Sequence, residues 1–450
     1  MSTPPSLANE IGLLRRIAEN VATKPAPQKR SRITEDDLRA GGFFWARQSP
    51  DGLCGILRPG NEPFNEFAEK LFSSSPKMER GTSFSAFQEE LFVILTSDYL
   101  GRDPMQIGEA DVLALQERLA FWFKERAAKR TIFVPCMISP WPSPRFSIGP
   151  VTFLFIEDVV KSEYYLDLRA QSPSAGGLDR LIEAMGKERA HWLAVVNIDD
   201  CDRERGYEIG DLAVDLALVA LQLAAPGLDT RNISRLATRR GPGMKVFLSV
   251  SAGRETGGFS NTEPGLSIGN GYLGHIIRET NTVISAVGKC VQSFATGNFR
   301  LPKLEQAWCD AAYWLHQGLA EPIDSIAVAK LETAIEVLLH AESSAGSEGR
   351  ILAAMDTFYS LKPDDPITPS SPITTKAFAK RFVRDRSRVL HGTWSTLSVR
   401  LSGSRDSLAD LARTLVRSTA QELELYFQSS AAADDTQTFL NWVKHRRQRI

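Results

Sequence analysis

From about Phe299 onward the chain carries scarcely a strand signal, and that absence constrains its fold more than any other feature. Apolar residues recur there at helical spacing in one segment after another. Lys303 to Leu319 carries Trp308, Tyr313 and Trp314, and Ser325 to His340 reads SIAVAKLETAIEVLLH. Glu348 to Leu361, Thr374 to Trp394, Asp406 to Gln428 and Thr436 to Arg447 follow, joined by polar links and one Pro-rich loop. Helices without strands must bury their apolar stripes against one another, so residues 299–450 are predicted to be an all-α domain.

Residues 1–298 read differently, as an α+β region. Leu7 to Val21 is amphipathic, a basic link runs from Thr23 to Arg32, and Thr34 with Asp37 resembles a helix start. Gly41 to Pro63 reads as turns with short strands. Ser83 to Leu100, Glu109 to Lys129 and Leu178 to Arg189 have helical periods, and Leu212 to Ala225 lies in a helix apolar enough to be buried. Strands are predicted at Thr131 to Ile138, Phe146 to Val159 (bent at Gly149-Pro150), His191 to Ile198 and Met244 to Ser251. Gly253 to Gly274 reads as loop.

A formal net charge of −1 over 450 residues argues against a polybasic coat, so any nucleic-acid contact has to be a local patch. The five cysteines are scattered, odd in number and free of any C-x-x-C, which argues against a disulfide framework and fits a reducing cytoplasm. Charged residues interrupt the N-terminus early, and no apolar run approaches the ~18 residues of a membrane span. A cytoplasmic protein without membrane contact is expected.

The segment TTKAFAKRFVRDRSRVLHGTW, Thr374 to Trp394, singles itself out within the helical part. Phe378, Phe382, Val389 and Leu390, widened by Val383 and Trp394, form an apolar stripe, and Arg386 falls near its middle. A guanidinium keeps its charge, so in that place it needs an anionic partner, a subunit interface or a cleft. His391 and Gly392 follow, a titratable group at a residue that lets a helix end.

Arg386-Ser387-Arg388-Val389-Leu390-His391-Gly392 resembles the R-S-x-x-x-H-G signature of the ApeA-like HEPN family, a branch of the HEPN helical ribonucleases. The resemblance spans roughly Glu305 to Gln428, with its parts in the family's order. Leu331 to Leu339 (LETAIEVLL) is similar to the family's second helix, and Gly349-Arg350-Ile351 to the arginine-led helix after it. It implies a HEPN-type bundle that dimerises about its motif helices and cuts RNA to 2′,3′-cyclic phosphate and 5′-hydroxyl ends. The resemblance further implies a role in antiviral defence by abortive infection, with the N-terminal region sensing an unknown trigger or restraining the nuclease. By the same resemblance Ser387 belongs to the motif, and Glu336 is a support residue orienting Arg386 or Arg350.

The chemistry suits the residues themselves. An imidazole with a pKa near ~6.5 gives and takes protons at cellular pH. A guanidinium offers a planar fork to a phosphate. The 2′-hydroxyl nucleophile belongs to the RNA, so neither metal nor cofactor is expected. Residues five apart on an ideal helix point about 140° from each other. Gly392 must therefore relax the helix end, or a second copy must supply half the site; a stripe carrying Phe382 and Arg386 is a candidate dimer face. Arg384 is a rival to Arg386, since it lies seven residues before His391 on the same face. Ser387 and Gly392 favour the register of Arg386, and Lys380, Arg384 and Arg388 read as a solvated face.

Four further patterns have plain readings beside their functional ones. Glu332, Glu336 and His340 at i, i+4, i+8 suggest acid–base or metal work, or an exposed polar face. Gly269 to Gly274 matches G-x-G-x-x-G but lacks the flanking strand and acid of a dinucleotide site, and reads as a turn into a helix. Asp199, Asp200, Asp202 and Glu204 suggest a cation site or a strand-end turn. Lys444, His445, Arg446, Arg447 and Arg449 suggest phosphate contacts or a mobile charged terminus.

Overall fold

The structure, a computed structural model, describes residues 7–24, 38–39, 41–50, 52–171, 176–238, 244–261, 265–340, 344–368, 371–430 and 432–449. It combines many helices with three small sheets. Two compact units divide the chain, residues 1–130 with 198–208 and residues 131–197 with 209–450. The boundary expected near residue 298 falls inside the second unit. Among the described residues no helix is long and apolar enough to cross a membrane.

In the first unit, α1 (Ala8–Ala18), α2 (Asn61–Ser73), α3 (Pro76–Gly81), α4 (Phe84–Asp98) and α5 (Glu109–Arg126) accompany a three-stranded antiparallel sheet. Its order is β1-β3-β2, with β1 at Val21–Lys24, β2 at Phe43–Ser49 and β3 at Gly52–Leu57. Leu13, Leu14 and Ile17 pack with Phe64, Phe67, Phe87, Leu91 and Leu119 in one core. Val21 to Lys24, expected as the end of a helix and the start of the basic link, pairs with Leu53 to Ile56, because the chain emerging from α1 meets an open edge of β3. The rest of that link and the helix start at Thr34 lie outside the described residues. Ser83 caps α4, its hydroxyl accepting from the Ala86 N–H at 3.1 Å.

The second unit holds a five-stranded sheet of order β5-β6-β7-β4-β8. Its strands are β4 (Ala128–Met137), β5 (Phe146–Ile148), β6 (Val151–Phe155), β7 (Trp192–Cys201) and β8 (Ser234–Arg235). The short α6 (Ile156–Val159), α7 (Glu163–Gln171) and α8 (Gly177–Lys187) adjoin it, with Val159, Leu178 and Met185 packed against Leu154, Leu193 and Val195. The long α9 (Arg203–Ala224) is buried along Ala213 to Leu223 as its apolar run predicts.

The strand expected through Val159 gives way to helix at Ile156, and a further segment also departs from the sequence reading. Met244–Ser251 (β9) pairs with Arg254–Asn261 (β10) in a separate hairpin, where a loop was expected after Gly253. Gly257 and Gly258 look like loop residues, but the ladder opposite Leu248 and Phe247 holds them extended. Val246 and Phe259 on this hairpin are 71% and 77% exposed.

The helical part contains α10 (Tyr272–Glu279), α11 (Asn281–Thr296), α12 (Pro302–Ala320), α13 (Asp324–Leu338), α14 (Ser344–Tyr359), α15 (Thr375–Leu390), α16 (Ser402–Phe427) and α17 (Thr436–Arg447). The β5–β6 turn reaches α11 so closely that a Cβ on Gly149 would stand 2.2 Å from the Gly288 carbonyl oxygen. Central to the layer is α13, which packs against α12, α15 and α16. Gly318 makes the crossing with α12 close: a Cβ there would meet Leu331 Cγ at 2.8 Å. Trp308 is fully buried and donates its indole N–H to the Val416 carbonyl at 2.9 Å, fastening α12 to α16.

Candidate functional site

Helix α15 starts where Thr374 caps it, the hydroxyl accepting from the Ala377 N–H at 3.2 Å. Thr375, Ala379, Phe382, Asp385 and Val389 are its buried residues, a stripe of helical period turned inward. Leu390, expected in that stripe, is 58% exposed, and Asp385 takes the inward place instead. The helix stops at Leu390 rather than running on to Trp394, because Gly392 adopts φ +68, a left-handed turn that favours glycine. His391 caps the end, exposed, its N–H donating to the Ser387 carbonyl at 2.9 Å. Ser387 itself is half-buried.

Arg386 stands on the inward side with its side chain 25% exposed. Its Nη1 donates to Glu336 Oε1 at 3.1 Å, and its Nη2 pairs with Glu336 Oε2 at 2.8 Å. Of the two cations weighed for Glu336, the structure places Arg386 there, while Arg350 donates to Gln437 Oε1 at 3.1 Å. Ser347 adds a hydroxyl donor to the same Glu336 oxygen. Glu332, one turn earlier on α13, sits 3.6 Å from Arg386 Nε, an electrostatic contact too long for a hydrogen bond. Neither Glu332 carboxylate oxygen has a hydrogen-bond partner, nor does Arg386 Nε.

The exposed polar face proposed for Glu332 and Glu336 is therefore corrected. Both are buried, because α13 carries Ala327, Val328, Leu331, Ala334 and Ile335 around most of its circumference and is covered on several sides. Burial first, then the neighbouring Glu336 charge, push the Glu332 carboxyl up to about 8, with Arg386 opposing. Near neutrality Glu332 is therefore mostly uncharged, which leaves one carboxylate, Glu336, to one guanidinium. His340, two residues past the end of this helix, takes a left-handed conformation (φ +50), its Nδ1 2.7 Å from the Thr436 hydroxyl.

Arg384 is exposed, as its place on the solvated face predicts, and donates to Asp385 Oδ1 at 3.2 and 3.3 Å. Asp385 is buried and also accepts from the Ser404 hydroxyl at 3.2 Å. Ser404 in turn accepts from Arg381 Nη2 at 2.7 Å. Sequence reasoning passed over Asp385 and the buried state of Glu332. The signal was present for Asp385, which stands three residues after Phe382 and four before Val389. The proposed dimer face is corrected too: Phe382 is buried within its own chain, its ring T-shaped against Phe378 at 4.4 Å. Arg386 thus leaves α15 inward and His391 stands exposed at its end, as the ideal divergence demands.

Several of the remaining candidates have structural roles. Gly271 takes φ +77 at the start of α10, a turn into a helix. Asp202 caps α9, accepting from the Arg205 N–H at 2.9 Å and from the Thr82 hydroxyl at 2.5 Å. Among the described residues no group of three or more His, Cys, Asp or Glu is arranged to hold a metal ion. Three of the five basic tail residues, Lys444, Arg446 and Arg447, are held by carboxylates. Arg446 and Arg447 both donate to Glu422, and Lys444 donates to Asp356 at 2.6 Å. Comparison of the chain with protein-family models, with curated proteins and with solved structures gives no match.

Proposed function

We propose that this chain is a metal-independent endoribonuclease of the ApeA-like HEPN type, working as a homodimer in abortive-infection defence. The observation that carries the reading is the placement of Arg386: a cation set into the inward ridge of α15, oriented by Glu336, on the helix whose end presents His391. The bidentate grip occupies two of the five guanidinium N–H groups and leaves others to meet a phosphate. His391 then moves the proton between the 2′-hydroxyl and the 5′-oxygen, a contribution worth ~10²–10⁴-fold.

Arg386 and His391 diverge on one helix, so a single scissile phosphate meets both where two copies supply one each. Leu390 beside His391 and Leu397 shortly after it are exposed apolar residues at the end of α15, suited to such a contact in place of Phe382. The N-terminal region is proposed to sense the trigger.

The Glu336 pairing also favours a second reading, in which Arg386 is a structural strut and the helical part grips RNA without cutting it. Purified full-length protein incubated with RNA and a chelator separates the two. Loss of cutting in both His391→Ala and Arg386→Lys, with dimers intact by light scattering, supports the enzyme. RNA that the wild type binds and leaves whole supports the gripping module.

A further inference from the structure

We infer that the exposed face of α15 is a track for the backbone of single-stranded RNA, running along Lys376, Lys380, Arg384 and Arg388 to His391. The inference rests on the ribonuclease reading for its direction, and on α15 itself for its chemistry. Between Thr375 and Leu390 the helix carries six cations and one carboxylate, in a chain whose net charge is −1. Lys376, Lys380, Arg381 and Arg384 are exposed, and Arg388 is half-buried.

The four track residues recur every fourth position and so form one row, with a rise of about 6 Å from each to the next. On a helical wheel His391 falls between Lys380 and Arg384, within the same arc, while Arg386 faces the opposite way. Like charges at i, i+4 work against a helix, and Lys376 in the first turn also opposes the helix dipole. None of the described carboxylates forms an ion pair with Lys376, Lys380 or Arg388 to offset this. Arg384 reaches Asp385 only sideways, at 3.2 Å. The arrangement carries a stability cost within the monomer and gains from a polyanion.

Two features select one strand of RNA over an acidic protein or a duplex. The four track charges stand in single file, with Arg381 beside them turned to Ser404 and Asp385. Single file suits successive phosphates of one extended chain rather than two rows across a groove. At the His391 end of the row, Arg388 lies over the ring of the half-buried Trp394, 4.9 Å from its centroid. A cation stacked on an aromatic is the kind of platform on which unpaired bases stack.

The test uses the full chain and a fluorescent 2′-O-methyl oligouridylate twelve nucleotides long, whose blocked 2′-oxygen rules out cleavage. Binding is followed by anisotropy over a series of salt concentrations. Lys376→Ala with Lys380→Ala, and the same pair with Arg388→Gln, should lower the slope of log K against log salt by about 0.7 for each cation removed. Substituting Lys161 and Lys187 on another surface should leave the slope unchanged, and thermal melts confirm that each variant is folded. An unchanged slope in folded track variants overturns the inference, as does equal loss in the Lys161 and Lys187 control. A duplex of the same length bound with the same slope, or an acidic peptide that competes as well as the oligouridylate, also overturns it. Because the probe is uncleavable, a wild type that binds along the track but never cuts RNA sinks the ribonuclease reading alone. A wild type that cuts while the slope stays fixed sinks the track alone.

Discussion

Arg386 and Glu336, fifty residues apart in sequence, meet through both guanidinium Nη atoms and both carboxylate oxygens, at 3.1 and 2.8 Å. The pair has a consequence for any variant of Arg386. Removing the arginine strands Glu336 in a buried place beside Glu332, and breaking a buried pair from one side costs about 3–5 kcal/mol. With a quarter of the Arg386 side chain open to water, the lower end applies. Arg386→Ala is therefore expected to lower the urea midpoint clearly, whereas Arg386→Ala with Glu336→Gln recovers part of the loss. Additive losses in that double-mutant cycle would show that the two side chains do not depend on each other. The same measurement guards the cleavage assay, because an Arg386 variant that loses activity by unfolding says nothing about phosphate binding.

Glu332 makes stability depend on pH. Its carboxyl is held at about 8 in the folded chain against an ordinary 4.5. Between those values the folded state binds the proton and the unfolded state does not, so unfolding releases a proton and raising the pH favours it. This group's contribution is fully present below about 4.5, falls as pH rises, and levels off above about 8. Glu332→Gln removes the ionisation while keeping the shape. Urea unfolding at several pH values should show wild type losing stability relative to the glutamine variant from pH 5 to pH 8. Parallel profiles for the two proteins would refute the assignment.

Much of this was legible in the residues. The presence of each C-terminal helix follows apolar periodicity, and Thr436–Arg447 agrees at both ends, whereas Ser344–Tyr359 and Ser402–Phe427 begin four residues before their expected starts and Thr375–Leu390 ends four residues short. Arg386 on an apolar stripe called for an anionic partner, a subunit interface or a cleft, and within the chain a carboxylate meets it. What periodicity could not supply was what covers each face. Glu332, Glu336 and His340 make a polar row on paper, yet α13 is packed from several sides, so the row is inside. The strand at Arg254–Asn261 escaped notice because Gly257 and Gly258 carry no side-chain pattern, and only pairing with β9 makes them a strand. The tail looked mobile because Glu422 and Asp356, which hold it, are distant in sequence.

Gly392 is the residue that places His391. Its φ of +68 disfavours any Cβ, although the space around it is open, so the effect of a side chain there is backbone strain without a clash. Gly392→Ala should cost about 1 kcal/mol, and Gly392→Asn less, since asparagine tolerates the left-handed region. If His391 works from the end of this helix, cleavage should fall further in the alanine variant than in the asparagine variant. Equal stability of all three proteins would mean that the turn after His391 is not held as described.

The C-terminal helix offers a test that separates packing from nucleic-acid contact. Glu422 is buried and takes Arg446 Nε at 3.0 Å and Arg447 Nε at 3.1 Å, while Arg447 also donates to the Phe358 carbonyl at 2.8 Å. Ending the chain after Val443 removes both arginines and leaves Glu422 buried without its cations, a loss on the order of 3 kcal/mol. In a Glu422→Gln background the same truncation should cost far less, because the buried charge at 422 is then gone and Asp356, which loses Lys444, keeps Lys362 at 2.6 Å. The salt slope for the uncleavable oligouridylate should fall little in that paired variant, since Lys444, Arg446 and Arg447 are already engaged within the fold. A truncation that leaves the melting temperature where it was but flattens the salt slope would reverse this assignment and make the tail an RNA contact.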